Sequence, residues 1–371
     1  MSDPAQKIAD ISKTGYQLLK ENKVEDAIDC FSRVLMLDKN NNYALVGMGD
    51  ASRKMGSVRE AVKYYQRCLS HHPGNNYALF GLADCYKAMN QYQKAIDIWE
   101  QYLVHDQKNI TVLTRIADAY RKVRNFESSK NIYLDVLKME DTNPYAIIGL
   151  GHLHYDFKEY KEALFYWEQM LGLHITSGSE KHKNHNIDNV DIRVLTSIGN
   201  CHRKLKSFSD GIQYFKAALQ REKNNFYALF GLADCYRGLG RTDSSLEYWN
   251  KILIQDPKNR MILTRTGDAY RNLNDPENAK IFYEKAINIE FDTYAVMGLA
   301  LVSMVQGKYD DAVISLKRLI QQDNKNYRLY IELADCYLQM DERQKALDTL
   351  EEFQKLGIKN AKIQEMLESI Q

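Results

Sequence analysis

Apolar residues recur three and four positions apart along this chain, one stripe per predicted helix, with short polar breaks between the stripes. The pattern also repeats as sequence. NYALFGLADCY from Asn76 returns as NFYALFGLADCY from Asn225, with near copies NYALVGMGDAS from Asn42 and YIELADCY from Tyr330. A second version, VLTRIADAYR from Val112, returns as ILTRTGDAYR from Ile262 and as VLTSIGNCHR from Val194.

One small residue in the middle of each first helix fixes the register: Gly15, Gly49, Ala83, Ala117, Gly151, Gly199, Ala233, Gly267, Ala300 and Ala334. Successive gaps are 34 residues, except one of 48 and one of 33. A second small residue follows each by 12 positions, from Ala27 and Ala61 through to Ala346. Four positions later stands a large ring, as at Phe31, Tyr65, Trp99, Tyr133, Trp167, Phe215, Trp249 and Tyr283, with Leu316 and Leu350 the exceptions. Small residues let two helix backbones approach, and the ring fills the groove that results. Each helix pair leaves a face uncovered, so neighbouring pairs must stack to bury it. His-Pro-Gly-Asn from His72 and Asp-Pro-Lys-Asn from Asp256 stop one helix and start the next.

These residues resemble the tetratricopeptide repeat, W-x2-L-G-x2-Y, then A-x3-F, then P, over 34 residues. Leu82, Ala83, Tyr86, Ala95 and Trp99 match it, as do Leu232, Ala233, Tyr236 and Trp249; the terminal proline is kept only at Pro73 and Pro257. The resemblance implies an all-α fold: a right-handed superhelical solenoid of antiparallel helix pairs, with the first helices forming an inner wall that holds an extended peptide or a partner helix. The expected organisation is repeats one to five over 8–173, an inserted polar loop over 174–191, repeats six to ten over 192–360 and a capping helix over 361–371. Gly357 ends the helix before the cap, and Ile363, Met366, Leu367 and Ile370 give the cap its apolar stripe. Repeats three to five resemble seven to nine in order, which suggests a duplicated block.

Composition adds limits. Hydrophobic residues at 44% and charged residues at 27% suit a folded protein. A formal net charge of +1 argues against a dedicated nucleic-acid binder. The longest nearly apolar stretch, from Tyr294 to Val305, is too short to span a bilayer, so no membrane insertion is expected. None of the six cysteines forms a Cys-x-x-Cys pair, and no secretory signal is visible, so the expected compartment is the cytoplasm. His174, His182 and His185 lie in the inserted stretch without the cysteine or carboxylate neighbours that a metal site needs, and neither metal nor cofactor is expected. His152, His154 and His202 flank the insertion, at positions expected to pack or to face solvent.

No phosphate-binding glycine loop, G-x-S-x-G elbow or H-E-x-x-H motif occurs, and the expectation is that this is not an enzyme. The recurring Ala-Asp-Cys places Cys85, Cys235 and Cys336 in one repeat slot, where a small apolar side chain packs. The informative signal lies one residue past the first small residue, at Asp50, Asp84, Asp118, Asp234, Asp268 and Asp335. Three residues further on, the first five of these are followed by Arg53, Lys87, Arg121, Arg237 and Arg271. Acid and base at that spacing share one helical face. Repeat six keeps Arg203 but has Asn200 in the acid slot. Such pairs serve stability, contact with a peptide, or both. Tyr43, Tyr77, Tyr145, Tyr227 and Tyr294 begin first helices, with Phe80 and Phe230 one turn on, and Arg115 and Arg265 add further donors. Tyrosine and arginine are enriched where partners bind. The expected groove residues are therefore Tyr77, Phe80, Asp84, Lys87, Arg115, Asp118, Arg121, Tyr227, Phe230, Asp234, Arg237, Arg265, Asp268 and Arg271. The Lys and Asn clamp by which some relatives hold a C-terminal carboxylate is absent, since Phe80 with Asp84 and Phe230 with Asp234 stand there. The leading expectation is a scaffold that binds a protein or peptide. Its alternatives are a peptide sensor that changes superhelix pitch and an adaptor for nucleic acid.

Overall fold

The computed structural model describes residues 4–177 and 191–370, and of the side chains at 174–177 nothing is stated. Every regular element among the described residues is a helix. The chain folds as two compact units, Met1–His182 and Lys183–Gln371. In the first, five hairpins follow one another: α1 (Pro4–Lys20) with α2 (Val24–Leu37), α3 (Asn42–Lys54) with α4 (Val58–His71), α5 (Asn76–Ala88) with α6 (Tyr92–Leu103), α7 (Ile110–Lys122) with α8 (Phe126–Met139), and α9 (Pro144–Asp156) with α10 (Tyr160–Ser177). In the second, five more follow: α11 (Ile192–Lys204) with α12 (Phe208–Arg221), α13 (Phe226–Gly238) with α14 (Thr242–Gln255), α15 (Arg260–Asn272) with α16 (Pro276–Ile289), α17 (Thr293–Val305) with α18 (Tyr309–Gln322), and α19 (Tyr327–Gln339) with α20 (Arg343–Lys355). The last helix, α21 (Ala361–Ile370), buries Ile363, Leu367 and Ile370 against α20 and α19. The polar insertion opens later than the sequence suggests, because α10 runs on through Ser177; residues 178–190, with His182 and His185, lie outside the described residues.

Two backbone devices shape each hairpin. The turn inside it places one residue in the left-handed region, seven positions after the first small residue: Asn22, Gly56, Asn90, Arg124, Lys158, Lys206, Gly240, Asn274, Gly307 and Asp341. That conformation returns the chain's amides to the last carbonyls of the helix, as in Ser57 N–H to Ser52 O at 2.9 Å. The turn between hairpins ends on a capping side chain, Asn41, Asn75, Asn109, Asn143, Asp191, Asn225, Asn259, Asp292 and Asn326. Each accepts from a backbone amide of the helix it starts, as Asn75 does from Ala78 at 2.9 Å.

The core is built around the rings. Phe31, Tyr65, Trp99, Tyr133, Trp167, Phe215, Trp249 and Tyr283 are all buried. Tyr65 lies between Gly49 of its own repeat and Gly81 of the next, and a Cβ at either glycine would collide with it. Phe215 lies likewise between Gly199 and Gly231, and Tyr283 between Gly267 and Gly298. Successive first helices therefore approach directly, α3 with α5 and α11 with α13 among them. The second glycine of each sandwich lies two positions before the first small residue of the following repeat. In α7 and α15 that slot holds Arg115, which lies over Phe80 of the repeat before, and Arg265, which lies over Phe230 and Trp249 of the repeat before. There α5 and α7, like α13 and α15, touch less closely, and the wider gap admits charge.

Candidate functional site

The gap between α5 and α7 is closed by ions. Asp84 is bonded by Arg53 of the preceding repeat at 3.2 Å and by Arg115 of the following one at 2.5 Å. Arg115 lies over the Phe80 ring at 4.8 Å, so the aromatic face holds the guanidinium while the carboxylate neutralises it. One repeat on, Asp118 is bonded by Lys87 at 3.3 Å and by Arg121 at 2.7 Å, and Arg121 also reaches Asp156. The sequence pattern pairs Asp84 with Lys87 on one helix; the structure gives Lys87 to Asp118 in the next repeat. The charges are therefore crosslinks between repeats as much as pairs within helices.

The second unit contains the same arrangement around Asp234, which is 5% exposed. Arg203 of the preceding repeat reaches it at 2.7 Å, Arg265 of the following one at 3.2 Å, and Arg237 of its own helix at 2.6 Å. Arg265 lies over Phe230 at 5.2 Å and over Trp249 at 5.6 Å.

Carboxylates in this one repeat slot titrate in opposite directions. Burial works to raise Asp118 and Asp234, but hydrogen bonds and charge from Arg121 and Lys87, or from Arg237, Arg203 and Arg265, win and hold both below the usual carboxylate range. Burial prevails at Asp50 and Asp268, which are pushed above it. Their short contacts are with tyrosine hydroxyls, Tyr65 at 2.6 Å and Tyr283 at 2.7 Å, while Arg53 and Arg271 stand 4.0 Å away.

Above these bonds, the face formed by α5, α7 and α9 carries an open groove of about 790 Å³. Lys87, Thr114, Arg115, Asp118, Tyr145 and His152 are among its lining. Tyr145, 73% exposed, stands at its rim, and Tyr77, 79% exposed, begins α5. His152 meets Trp167 edge-on at 4.9 Å and is held below the usual histidine range by burial and then by Arg121. His154 is a core residue, bonded to Glu159 at 2.6 Å and stacked on Tyr166, while His202 stacks on Tyr214. The thiols of Cys85 and Cys235 are buried, which pushes them up to about 11 and about 12, as packing residues and not nucleophiles.

Of the groove residues expected from sequence, Tyr77, Phe80, Asp84, Lys87, Arg115, Asp118 and Arg121 fall together on α5 and α7. Tyr227, Phe230, Asp234, Arg237, Arg265, Asp268 and Arg271 fall together on α13 and α15. Arg121 is half-buried and already bonded to two carboxylates, and so has few donors left for a ligand. The sequence reading missed Arg53 and Arg203 as donors to the next repeat, although their spacing of 31 residues from Asp84 and Asp234 was there to be noticed.

A tetratricopeptide repeat model matches residues 52–114, 203–264 and 304–364, and a second matches 262–293, together more than half of the chain. The chain belongs to the tetratricopeptide repeat family. Membership supports a protein-interaction scaffold, and such scaffolds are generally non-catalytic. No curated protein matches the sequence. Among solved structures, the MamA protein is similar at 20% identity over 49% of this chain and 92% of that one, with a TM-score of 0.41. Yeast Tom70 is similar at 14% identity over 99% of this chain and 96% of that one, with a TM-score of 0.40. Likeness at this level transfers nothing of their biology. Among the described residues no helix of this tetratricopeptide repeat protein is long and apolar enough to cross a membrane.

Proposed function

We propose that the chain is a scaffold that binds a peptide segment or a partner helix along its first-helix faces, without catalysis. The groove over α5, α7 and α9 carries this reading. It is open, and its lining presents Tyr145, the oxygen of the Thr114 hydroxyl, whose hydrogen is given to the Ile110 carbonyl, and the ions of Lys87, Arg115 and Asp118. Large amphipathic rings and arginines on a rigid wall bind at low entropic cost. Most of the ions are already paired across repeats, so exposed side chains are the cleaner probes. The experiment is capture of a partner from native lysate by the full chain, repeated with Tyr145→Ala and Thr114→Val. Binding weakened about tenfold or more with the melting temperature held would support the groove; a partner retained at full affinity by both variants would move the binding face elsewhere.

A further inference from the structure

The two units carry the same ionic framework with different charge balance. In the first, Arg53, Lys87, Arg115 and Arg121 are bonded among Asp50, Asp84, Asp118 and Asp156, four cations to four carboxylates. In the second, Arg203, Arg237, Arg265 and Arg271 form ion pairs only with Asp234 and Asp268 among the described residues, four cations to two paired carboxylates, with Glu332 acting on Arg271 from a greater distance. The missing acids can be named. Asn200 stands in the slot of Asp50, Phe215 in that of its partner Tyr65, and Val305 in that of Asp156. Asn200 offers Arg203 a neutral oxygen at 3.2 Å in place of a charge. Three guanidiniums thus share Asp234. A carboxylate accepts at about four lone-pair sites, and each guanidinium has about five N–H donors, so most of the donors are left without a carboxylate. Burial, together with the neighbouring Arg237 and Arg203, depresses Arg265 against the pull of Asp234, whereas Arg121 in the first unit is raised by its two carboxylates despite burial.

We infer that the Arg203, Arg237 and Arg265 cluster is an anion subsite that takes the side-chain carboxylate of an acidic peptide segment lying across α11, α13 and α15. This rests on the reading of first-helix faces as binding surfaces and assigns the second unit a selectivity that the first lacks. The cluster is built to hold one anion in place. Phe230 lies beneath Arg203 at 5.7 Å and Arg265 at 5.2 Å, fixing both planes, while the Arg237 side chain, 53% exposed, is the entry point. Phe226 and Tyr227 lie exposed at the start of α13, apolar surface for the residues that flank the acid. The charge excess is local, and the net charge of +1 does not provide the extended basic surface that a phosphate backbone requires.

Fluorescence anisotropy of the full chain with a labelled peptide of alternating glutamate and glycine tests the assignment. A glutamine–glycine peptide and a labelled oligouridine are the comparison probes. The glutamate peptide is expected to bind about tenfold tighter than the glutamine one, and to lose about tenfold in Arg237→Gln, a change at an exposed side chain. The pair Asn200→Asp with Phe215→Tyr restores two of the first unit's groups and should weaken binding several-fold, while Lys138→Gln, at an exposed position on α8 of the first unit, leaves it unchanged. Equal binding of the two peptides, tighter binding of the oligouridine, or indifference to Arg237→Gln would overturn the assignment. If these fail while a captured partner still depends on Tyr145, only the subsite is refuted; if the partner ignores Tyr145 and Thr114, the groove reading fails.

Discussion

Arg203 of α11 donates to Asp234 of α13 at 2.7 Å, a bond that joins one repeat to the next in a nearly dry setting. Asp234 takes two further arginines, so its charge is compensated several times over. A carboxylate this buried is tolerated only because of that company.

Removing it should therefore be costly. Asp234→Ala leaves three guanidiniums crowded without an anion and should lower the unfolding free energy by about 3–5 kcal/mol. Arg237→Ala, at a half-exposed partner, should change it by less than about 1 kcal/mol. Urea titration followed by circular dichroism separates the two, and equal losses would show that Asp234 is not the centre of the cluster.

Asp268 should behave in the opposite sense. Burial raises its folded value above the unfolded one, so the protonated form is the better folded form. Its contribution is complete below the unfolded value, about 3.9, and is lost as pH rises through the folded value. Asp268→Asn keeps an acceptor for the Tyr283 hydroxyl and removes that loss. The variant should match the wild type at low pH and melt at the same temperature or higher at neutral pH. A variant clearly less stable at neutral pH would contradict the direction of the shift.

The ring sandwiches predict a coupled pair. A methyl group at Gly231 would collide with the Phe215 ring, so Gly231→Ala should cost about 1–3 kcal/mol. Phe215→Leu alone should also cost stability, but in its presence the penalty of Gly231→Ala should shrink. A double-mutant cycle measures the difference, and strict additivity would mean that the two do not share the space.

The left-handed turn slot allows a reciprocal swap. Lys206 holds φ +62° and Gly240 holds φ +71° in equivalent turns, and nothing lies within 4 Å of the Cβ that Gly240 lacks. Gly240→Lys should cost about 1 kcal/mol through backbone strain alone. Lys206→Gly should gain a few tenths, because relief of strain is partly offset by the freedom glycine has when unfolded. Thermal melts in which both swaps destabilise equally would show that side-chain contacts at Lys206 matter more than its backbone.

The sequence by itself determined the helices, their pairing and the buried rings, because these follow from local periodicity and from residue size. Gly49 and Tyr65 announce a close helix contact wherever the chain goes, and the repetition of that announcement fixes how hairpins stack. The partners of the charges were decided only by tertiary structure. Lys87 has a carboxylate three residues before it, yet bonds Asp118 of the next repeat, since Asp84 is taken by Arg53 and Arg115 and stacking brings Asp118 within reach. Whether a carboxylate in the shared slot falls below its usual range, as Asp118 and Asp234 do, or rises above it, as Asp268 does, depends on how many cations its own helix and the neighbouring repeats bring within bonding distance. That number is set by the gaps that Arg115 and Arg265 hold open, and a gap between helices is a property of two backbones at once, which no single stretch of sequence contains.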